Sequence, residues 1–371
     1  MRGNPDHLLD DDARAIIIIH PGGLGDVLLS VSAIRILRAS FSEHKVGLLA
    51  GSAVSHFLFA CGEIDAWFPI EAQTLAALQI GQLAKKSRFW TWIERCDLLV
   101  AWMNDDEDGG VRKGLEQFSV PRIRLKSPFS PTLYATHQAD RFLETIVDLI
   151  PTSGERRLPR QPEGMVLAFS SKVTQGETGK RAIAVLHPGS GSPHKCMPAT
   201  TWKKLIEWMR EKELEPVLLE GSADGRQIRE IEAVAPSSCG KHSNPDLYRL
   251  AEWLAGVSVL VSHDSGIAHL AALMGIPTVV VFGPTDPCRW GPRGNHVRIV
   301  RGGACRCVGW EQVRACEAKL CLSVSWTNLT EAIQECLGLN SCRISGCEGQ
   351  GSAALALSGP GGCVTVQRRF P

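Results

Sequence analysis

No apolar run in this sequence approaches the roughly 18 residues that a membrane-spanning helix requires. The longest, Ala15–Ile19 and Pro277–Phe282, have the length of strands. Nor is there a surplus of charge of either sign: 40 Lys and Arg face 39 Asp and Glu, a formal net of +1. A chain built to neutralise a nucleic-acid backbone would want a basic excess, so nucleic acid is not expected as a partner. Met1 to Asp12 are acidic and hold no apolar h-region, so no secretory signal is expected and the chain is expected to stay in the cytoplasm. What is present suits a globular chain with real cores: 371 residues, 44% hydrophobic and 21% charged, a length that fits two domains better than one. Cysteine is not scarce, with 13 in all, but eight of them lie between Cys305 and Cys363. In so long a chain without an export signal, that distribution reads as reduced thiols and not as a disulfide scaffold.

The N-terminal half alternates β-type runs with helical patterns. Strands are expected at Ala15–Ile19, Val46–Ala50, Ala66–Ile70, Asp97–Trp102 and Arg122–Leu125, with helices at Val27–Arg38, Ser52–Ala60, Gln73–Arg95 and His137–Ile150. Pro151–Gly164, with Gly154, Pro159 and Pro162, interrupts the pattern. The alternation then restarts with strands at Ala182–Leu186, Pro216–Leu219, Val257–Val261 and Thr278–Phe282, separated by helical segments and followed by a helix at Trp326–Leu337. Such alternation predicts an α/β chain with two Rossmann-like domains facing each other across a cleft. The expected division is a disordered N-terminus over 1–13, one domain over 14–160, a second over 161–338 and a disordered tail over 339–371, which is rich in Gly and Ser.

Three strand-to-helix turns could carry chemistry. The first is His20-Pro21-Gly22-Gly23-Leu24-Gly25-Asp26, whose glycines allow a sharp turn and close approach of a ligand. Asp26 reads equally well as a helix N-cap and as a carboxylate aimed into the cleft as a general base. The second, His187-Pro188-Gly189-Ser190-Gly191 with Lys195, has the small residues and single lysine of a phosphate-binding turn, without Walker A spacing. The third, Asp264-Ser265-Gly266-Ile267-Ala268-His269, would present free N–H groups of Ser265 and Gly266 at a helix N-terminus, although taken alone it reads better as a helix cap with a core histidine. Neither the dinucleotide fingerprint nor a Gly-x-Ser-x-Gly elbow occurs in these turns, which argues against a dehydrogenase and a serine hydrolase.

Taken together, these turns make the chain resemble glycosyltransferase family nine, the bacterial lipopolysaccharide heptosyltransferases, over roughly residues 15 to 338. The stretch His20 to Leu29 is similar to the family's opening motif, the 187–198 stretch to its donor-phosphate turn, and Asp264 to Ala272 with Phe282-Gly283-Pro284-Thr285-Asp286-Pro287 to its most specific signature. The chain departs from the family pattern at His20, where a basic residue is usual, and at Cys196-Met197, where an aromatic is common. The resemblance implies a GT-B fold and inverting, metal-independent transfer of a sugar, a heptose from ADP-heptose, to a lipopolysaccharide core acceptor. It implies Asp26 as base, Gly22, Gly23 and Gly25 as the acceptor-side loop, and a C-terminal helix near Trp326–Leu337 that crosses back to pack on the first domain. Ser190, Gly191, Lys195, Asp264, Ser265, Gly266 and His269 would then contact the donor.

No cofactor is expected. The expected partners are a nucleotide diphosphate sugar and a lipid-linked saccharide. Lys85, Lys86, Arg88, Phe89, Trp90 and Trp92, with Arg112, Lys113, Arg122, Arg124 and Lys126, are candidates for a peripheral contact with the inner membrane; the alternative is a solvated helix face with the tryptophans in the core, the reading favoured for Trp92. Cys305, Cys307, Cys316 and Cys321 are expected to form a buried reduced cluster and not a zinc site, because the first pair is one residue tighter than Cys-x-x-Cys. The alternatives are another GT-B enzyme, such as a nucleotide-sugar epimerase, and a non-catalytic nucleotide-sugar-binding protein.

Overall fold

The computed structural model describes residues 9, 12–83, 87–105, 107–129, 136–150, 181–235 and 239–338. The break expected at Pro151–Gly164 and the tail from residue 339 lie outside them. The expectation of a disordered stretch over 1–13 needs correction at Leu9. Its side chain is buried in the first core and its carbonyl accepts a bond of 3.3 Å from Arg95 Nη1.

The first half runs β1 (Arg14–Ile19), α1 (Leu24–Leu29), α2 (Val31–Ser40), β2 (His44–Ala50), α3 (Ser52–Ala60), β3 (Ala66–Pro69), α4 (Ala72–Gln79), α5 (Arg88–Glu94), β4 (Cys96–Ala101), α6 (Gly110–Glu116), β5 (Arg122–Leu125) and α7 (Gln138–Ile146). The second runs β6 (Ile183–His187), α8 (Ala199–Glu211), β7 (Glu215–Leu219), α9 (Gly225–Val234), β8 (Gly240–His242), α10 (Leu247–Leu254) and β9 (Val259–His263). It continues with α11 (Gly266–Leu273), β10 (Thr278–Phe282), α12 (Pro287–Trp290), β11 (Val297–Arg301), α13 (Trp310–Ala315) and α14 (Trp326–Cys336).

Local chemistry explains where these elements stop. The Val27–Arg38 pattern forms two helices because Ser30 closes α1, its hydroxyl donating to the Val27 carbonyl at 2.7 Å. Gln73–Arg95 divides as well: Gly81, at φ +67°, lies just past the end of α4, and Ser87 caps α5 by accepting the Trp90 N–H. On α5, Phe89, Trp92 and Ile93 turn inward together and are buried. Trp92 is thus core, the reading favoured for it, while Phe89, expected on the membrane surface, is corrected to core as well. Arg88 lies over the Phe68 ring, Arg122 over the Phe41 ring, and Arg124 pairs with Asp148. Lys85 and Lys86 fall outside the described residues.

All pairings are parallel. The first sheet has the order β3-β2-β1-β4-β5 and the second β11-β10-β9-β6-β7-β8. Ile16 to Ile19 are fully buried, as a central strand covered on both faces must be. In each sheet the strand order reverses at a crevice, beside β1 in one and between β6 and β9 in the other. Open α/β sheets bind ligands at such points, outside the carboxyl ends of the strands.

One apolar cluster runs across both halves, joining Leu28, Val54 and Phe57 to Leu250, Leu254 and Leu270. Between the halves, α1 packs directly against α11. A Cβ on Gly266 would stand 2.7 Å from Leu24, and one on Gly25 would stand 3.1 Å from the His269 ring. The C-terminal helix, expected to cross back onto the first domain, does not do so. Leu329 and Ile333 of α14 are buried in the core of the second sheet, because its apolar face matches the surface beside β10 and β11. The crossing is made instead by residues 290–293. The Gly291 carbonyl accepts from His137 Nε2 at 2.8 Å, Arg293 forms a two-point pair with Asp140, and Trp290 stacks on Phe129.

Candidate active site

A cleft of about 550 Å³ opens where the turns after β1, β6 and β9 converge. Its walls hold Gly23, Gly25, Asp26, Ser190, Gly191, Lys195, Asp264, Ser265, Gly266 and His269, so Asp26 and nine of the ten other site residues expected from the turns meet in one place. Gly22 stays behind the wall. Its N–H donates to His20 Nδ1 at 3.1 Å, and a side chain there would strike the His20 ring.

On the first wall, Gly23 is the N-cap of α1 and Asp26 sits three residues inside. The Asp26 carboxylate reaches back to accept the Gly23 N–H at 3.1 Å, so it occupies the reciprocal position of a capping box and not the cap itself. Burial raises the Asp26 pKa and the charge of Asp264 adds to this, while the Gly23 N–H and Lys195 oppose it. Beneath it, His20 is fully buried between Trp102 and Phe142, and burial holds its pKa down at about 4. A neutral ring that accepts the Gly22 N–H fits this pocket, where an unpaired charge would not.

The second wall is more heavily cross-linked. Lys195 Nζ donates to Asp264 Oδ2 at 2.7 Å, and Thr285 Oγ1 donates to the same oxygen at 2.7 Å. Ser190 Oγ donates to the Asp264 carbonyl at 2.7 Å, which ties the turn after β6 to the turn after β9. Ser265 caps α11, its hydroxyl accepting the Ala268 N–H. His269, one turn in, is buried under Gly25. Burial and then Lys195 lower its pKa to about 4 against the raising effect of Asp264, so it is neutral at physiological pH. Gly191 has open space around its Cα, and Trp310 places its indole 5.8 Å from Lys195 Nζ at the rim.

Two histidines in these turns act where the sequence reading assigned nothing. His187, in register with Ser262 on β9, donates through Nε2 to Asp224 at 3.0 Å, while Nδ1 faces the hydroxyls of Ser262 (3.0 Å) and Ser265 (3.3 Å). Burial pushes Asp224 up, but the hydrogen bond and charge of His187 and the Gly221 N–H outweigh it, and the carboxyl lies below its ordinary value. A side chain at Gly189 would run into Asp224 at 1.8 Å, so only glycine lets this pair form. His263 bonds the Pro188 carbonyl at 3.0 Å and accepts the Met197 N–H at 2.9 Å, bracing the loop that carries Lys195. His187 lies inside a motif already noted and His263 stands immediately before another, which was the available signal. Asp224, Trp290 and Trp310 come from separate segments and had none.

Outside the cleft, the sulfur atoms of Cys305, Cys307 and Cys316 lie within 4.8 Å of one another. The buried cluster expected here is corrected: these three are half-buried and only Cys321 is buried.

Two parallel α/β sheets, with a cleft at their carboxyl ends that has a lone carboxylate on one wall and an ammonium group and helix N-terminus on the other, have the architecture of the GT-B fold. Residues 112–319 match glycosyltransferase family 9, the heptosyltransferases, and the chain belongs to that family. It is 31% identical over 124 residues to lipopolysaccharide heptosyltransferase 1 of Pseudomonas aeruginosa, an alignment spanning 33% of this chain and only 35% of that protein. With lipopolysaccharide heptosyltransferase 2 of Salmonella typhimurium it is 22% identical over 313 residues, covering 77% of this chain and 87% of the relative. The structure of E. coli heptosyltransferase WaaC with ADP superposes with a TM-score of 0.57 at 17% identity, over 87% of this chain and 99% of that one. Among the described residues, no helix is long and apolar enough to cross a membrane.

Proposed function

We propose that this protein transfers a heptose from ADP-heptose to a hydroxyl of a lipopolysaccharide core acceptor, with inversion at the anomeric carbon and no metal ion at the reacting centre. One observation carries the reading: Asp26, from the first half, and Lys195, from the second, line the same cleft. The relative crystallised with ADP supports an adenine nucleotide as the donor's carrier. In this reading residues 14–160 receive the acceptor and residues 161–338 the donor, and the enzyme works at the cytoplasmic face of the inner membrane.

Asp26 takes the proton of the attacking hydroxyl as that oxygen bonds the anomeric carbon from the face opposite the leaving group. A carboxyl with a raised pKa is better matched to this task than an ordinary aspartate. The leaving ADP gathers negative charge, which Lys195 and the N–H groups of Ser265 and Gly266 stabilise. Asp264 holds Lys195 in place through Oδ2, and we assign Oδ1 to a donor sugar hydroxyl. Ser190 and Gly191 let the diphosphate approach the loop backbone, and His269 supports the floor below Gly25 as an uncharged ring.

The test is product analysis with ADP-heptose, with and without a truncated core acceptor, in the presence of EDTA. A glycoside of inverted anomeric configuration, formed only with acceptor, is the expected result. Donor epimerised without acceptor would assign the epimerase reading, and tight donor binding with no product would assign the binding-protein reading.

A further inference from the structure

The second wall of the cleft has a direction. In the strand order β11-β10-β9-β6-β7-β8, the turns after β6 and β9 lie side by side and carry Lys195, Ser265 and Gly266. The turn after β7, Gly221 to Asp224, lines the cleft on one side of them. On the other side, the chain leaving β10 and β11 brings Thr285, Trp290 and Trp310 to the same cleft. A nucleotide sugar whose diphosphate sits between must lay its nucleoside over one flank and its sugar over the other. The position of Asp26 decides which. Asp26 feels the charges of Lys195 and Asp264, and its helix α1 packs on α11, which follows β9, the neighbour of β10. The anomeric carbon has to come within reach of Asp26, so the sugar lies toward β10 and the nucleoside toward β7.

The two flanks differ in chemistry. Gly221, Ser222 and Ala223 are small, whereas the β10–β11 flank carries two indoles. Trp290 is already engaged, its ring stacked on Phe129 at 5.8 Å with the Arg289 guanidinium 5.0 Å from its centre. Trp310 is 44% exposed, and among the described residues no apolar cluster takes it in. Gly309, at φ +85°, is the N-cap of α13 and sets Trp310 at its first position, while Val313, one turn on, is buried and anchors the helix. Covering an indole contributes more apolar area than covering almost any other side chain, and this one stands uncovered where a ligand would sit. Lys195 Nζ lies 5.8 Å from the centre of its ring, so the indole borders the diphosphate position on the sugar side.

We propose that Trp310 recognises the donor sugar, its indole receiving the C–H face of an uncharged sugar carried on the diphosphate. A pyranose points most hydroxyls outward around its rim and presents C–H groups on its faces. Those weakly positive hydrogens meet the negative face of an aromatic ring, and water leaves both surfaces. Asp264 Oδ1 would take a hydroxyl at the rim while the indole covers a face. The inference rests on the reading that this cleft takes a nucleotide diphosphate sugar; it depends neither on the acceptor nor on transfer itself.

Calorimetry on the full chain with ADP and with ADP-heptose separates the sugar from the nucleotide. Trp310→Ala should weaken ADP-heptose about tenfold and ADP by less than about threefold, since only the first carries the sugar. Trp310→Phe keeps a ring and should recover most of the loss. Val308→Ala, in the same segment but outside the cleft lining, should match wild type. In turnover, Trp310→Ala should raise the donor KM about tenfold with kcat within about threefold of wild type, the pattern of a contact made equally in ground and transition states. Equal weakening of ADP and ADP-heptose would place the indole against the nucleotide and overturn the assignment. Unchanged affinity for both, or an effect confined to the acceptor KM, overturns it as well. The transfer reading fails separately. A wild type that binds ADP-heptose and forms no glycoside sinks transfer, while the two affinities still decide the sugar contact. A wild type that binds ADP but not ADP-heptose overturns both.

Discussion

The two walls of the cleft are built on the same plan, a buried strand followed by His-Pro-Gly and a turn into a helix, yet they carry opposite electrostatics. The β1–α1 turn brings a single ionisable group to the surface of the cleft, Asp26, held by one N–H and otherwise desolvated. The β6 and β9 turns bring a network: His187 with Asp224, Lys195 with Asp264 and Thr285, and Ser190 bonded to the Asp264 carbonyl. The difference matches the proposed tasks. A base must be left with a lone pair that can take a proton, and burial tunes it upward. Donors for a developing anion must be fixed before the charge appears, so that no reorganisation is needed when it does. The buried histidine behind each turn repeats this contrast, since His20 packs among aromatics and His187 bonds to a carboxylate.

The sharpest way to break the comparison is at the base. Asp26→Asn should lower kcat about 10²- to 10⁴-fold while leaving donor affinity close to wild type, measured by steady-state kinetics and calorimetry. Equal losses in donor binding and turnover would instead place Asp26 with the donor wall. Lys195→Ala should act on the other side, weakening ADP binding and lowering kcat/KM by about 10²- to 10³-fold. Unchanged ADP affinity would remove Lys195 from the donor site.

Next in size is the contact between the walls. Gly266→Val places a branched side chain against Leu24 and should destabilise the protein by about 1–3 kcal/mol in denaturant unfolding, with partial recovery in the Leu24→Ala background. Absence of any recovery would show that the damage lies elsewhere.

The carboxylates on the two walls should also respond to pH in opposite senses. Asp26 has a raised folded-state pKa, so its ionisation costs stability. That cost is absent below the ordinary aspartate range, grows as pH rises toward the folded pKa and is complete above it. Asp26→Asn should therefore stabilise the fold at neutral pH and not at acidic pH. Asp224 is lowered, so its contribution is present above the ordinary range and lost as pH falls through the folded value. Asp224→Asn should destabilise at neutral pH by about 1–3 kcal/mol, and progressively less in acid, in melting curves taken across the range. Matching pH profiles for the two variants would contradict the contrast. The smallest effect belongs to Arg293→Ala. It removes an exposed ion pair to Asp140 and should cost no more than about 1 kcal/mol, decreasing with salt.

Much of the fold was legible because it is written in local periodicity. The four consecutive isoleucines of β1, the Thr278–Phe282 run and the Ser52–Ala60 helix appear in the structure almost as their residues predict. The glycine-rich turns after β1, β6 and β9 were legible too, since few folds need such residues at those places. Helix interruptions were less visible. Ser30 and Gly81 divide patterns whose apolar spacing continues through them, because a side-chain or left-handed backbone preference acts at one residue while periodicity averages over many. The inward turn of Phe89 was likewise hidden by neighbouring positive charges, which mark a segment as exposed without saying which of its rings are.

What the amino-acid sequence determined by itself is therefore the strands, the helices and the chemistry available at each turn, all of which follow from residues close together in the chain. The tertiary structure alone decided which turns share a cleft, that Asp224 stands behind His187 and Trp310 beside Lys195, that α14 stays with the second sheet while residues 290–293 make the crossing, and that Cys305, Cys307 and Cys316 bring their thiols together. Each of these depends on strand order and on apolar faces finding one another, interactions between residues distant in sequence that no local pattern encodes.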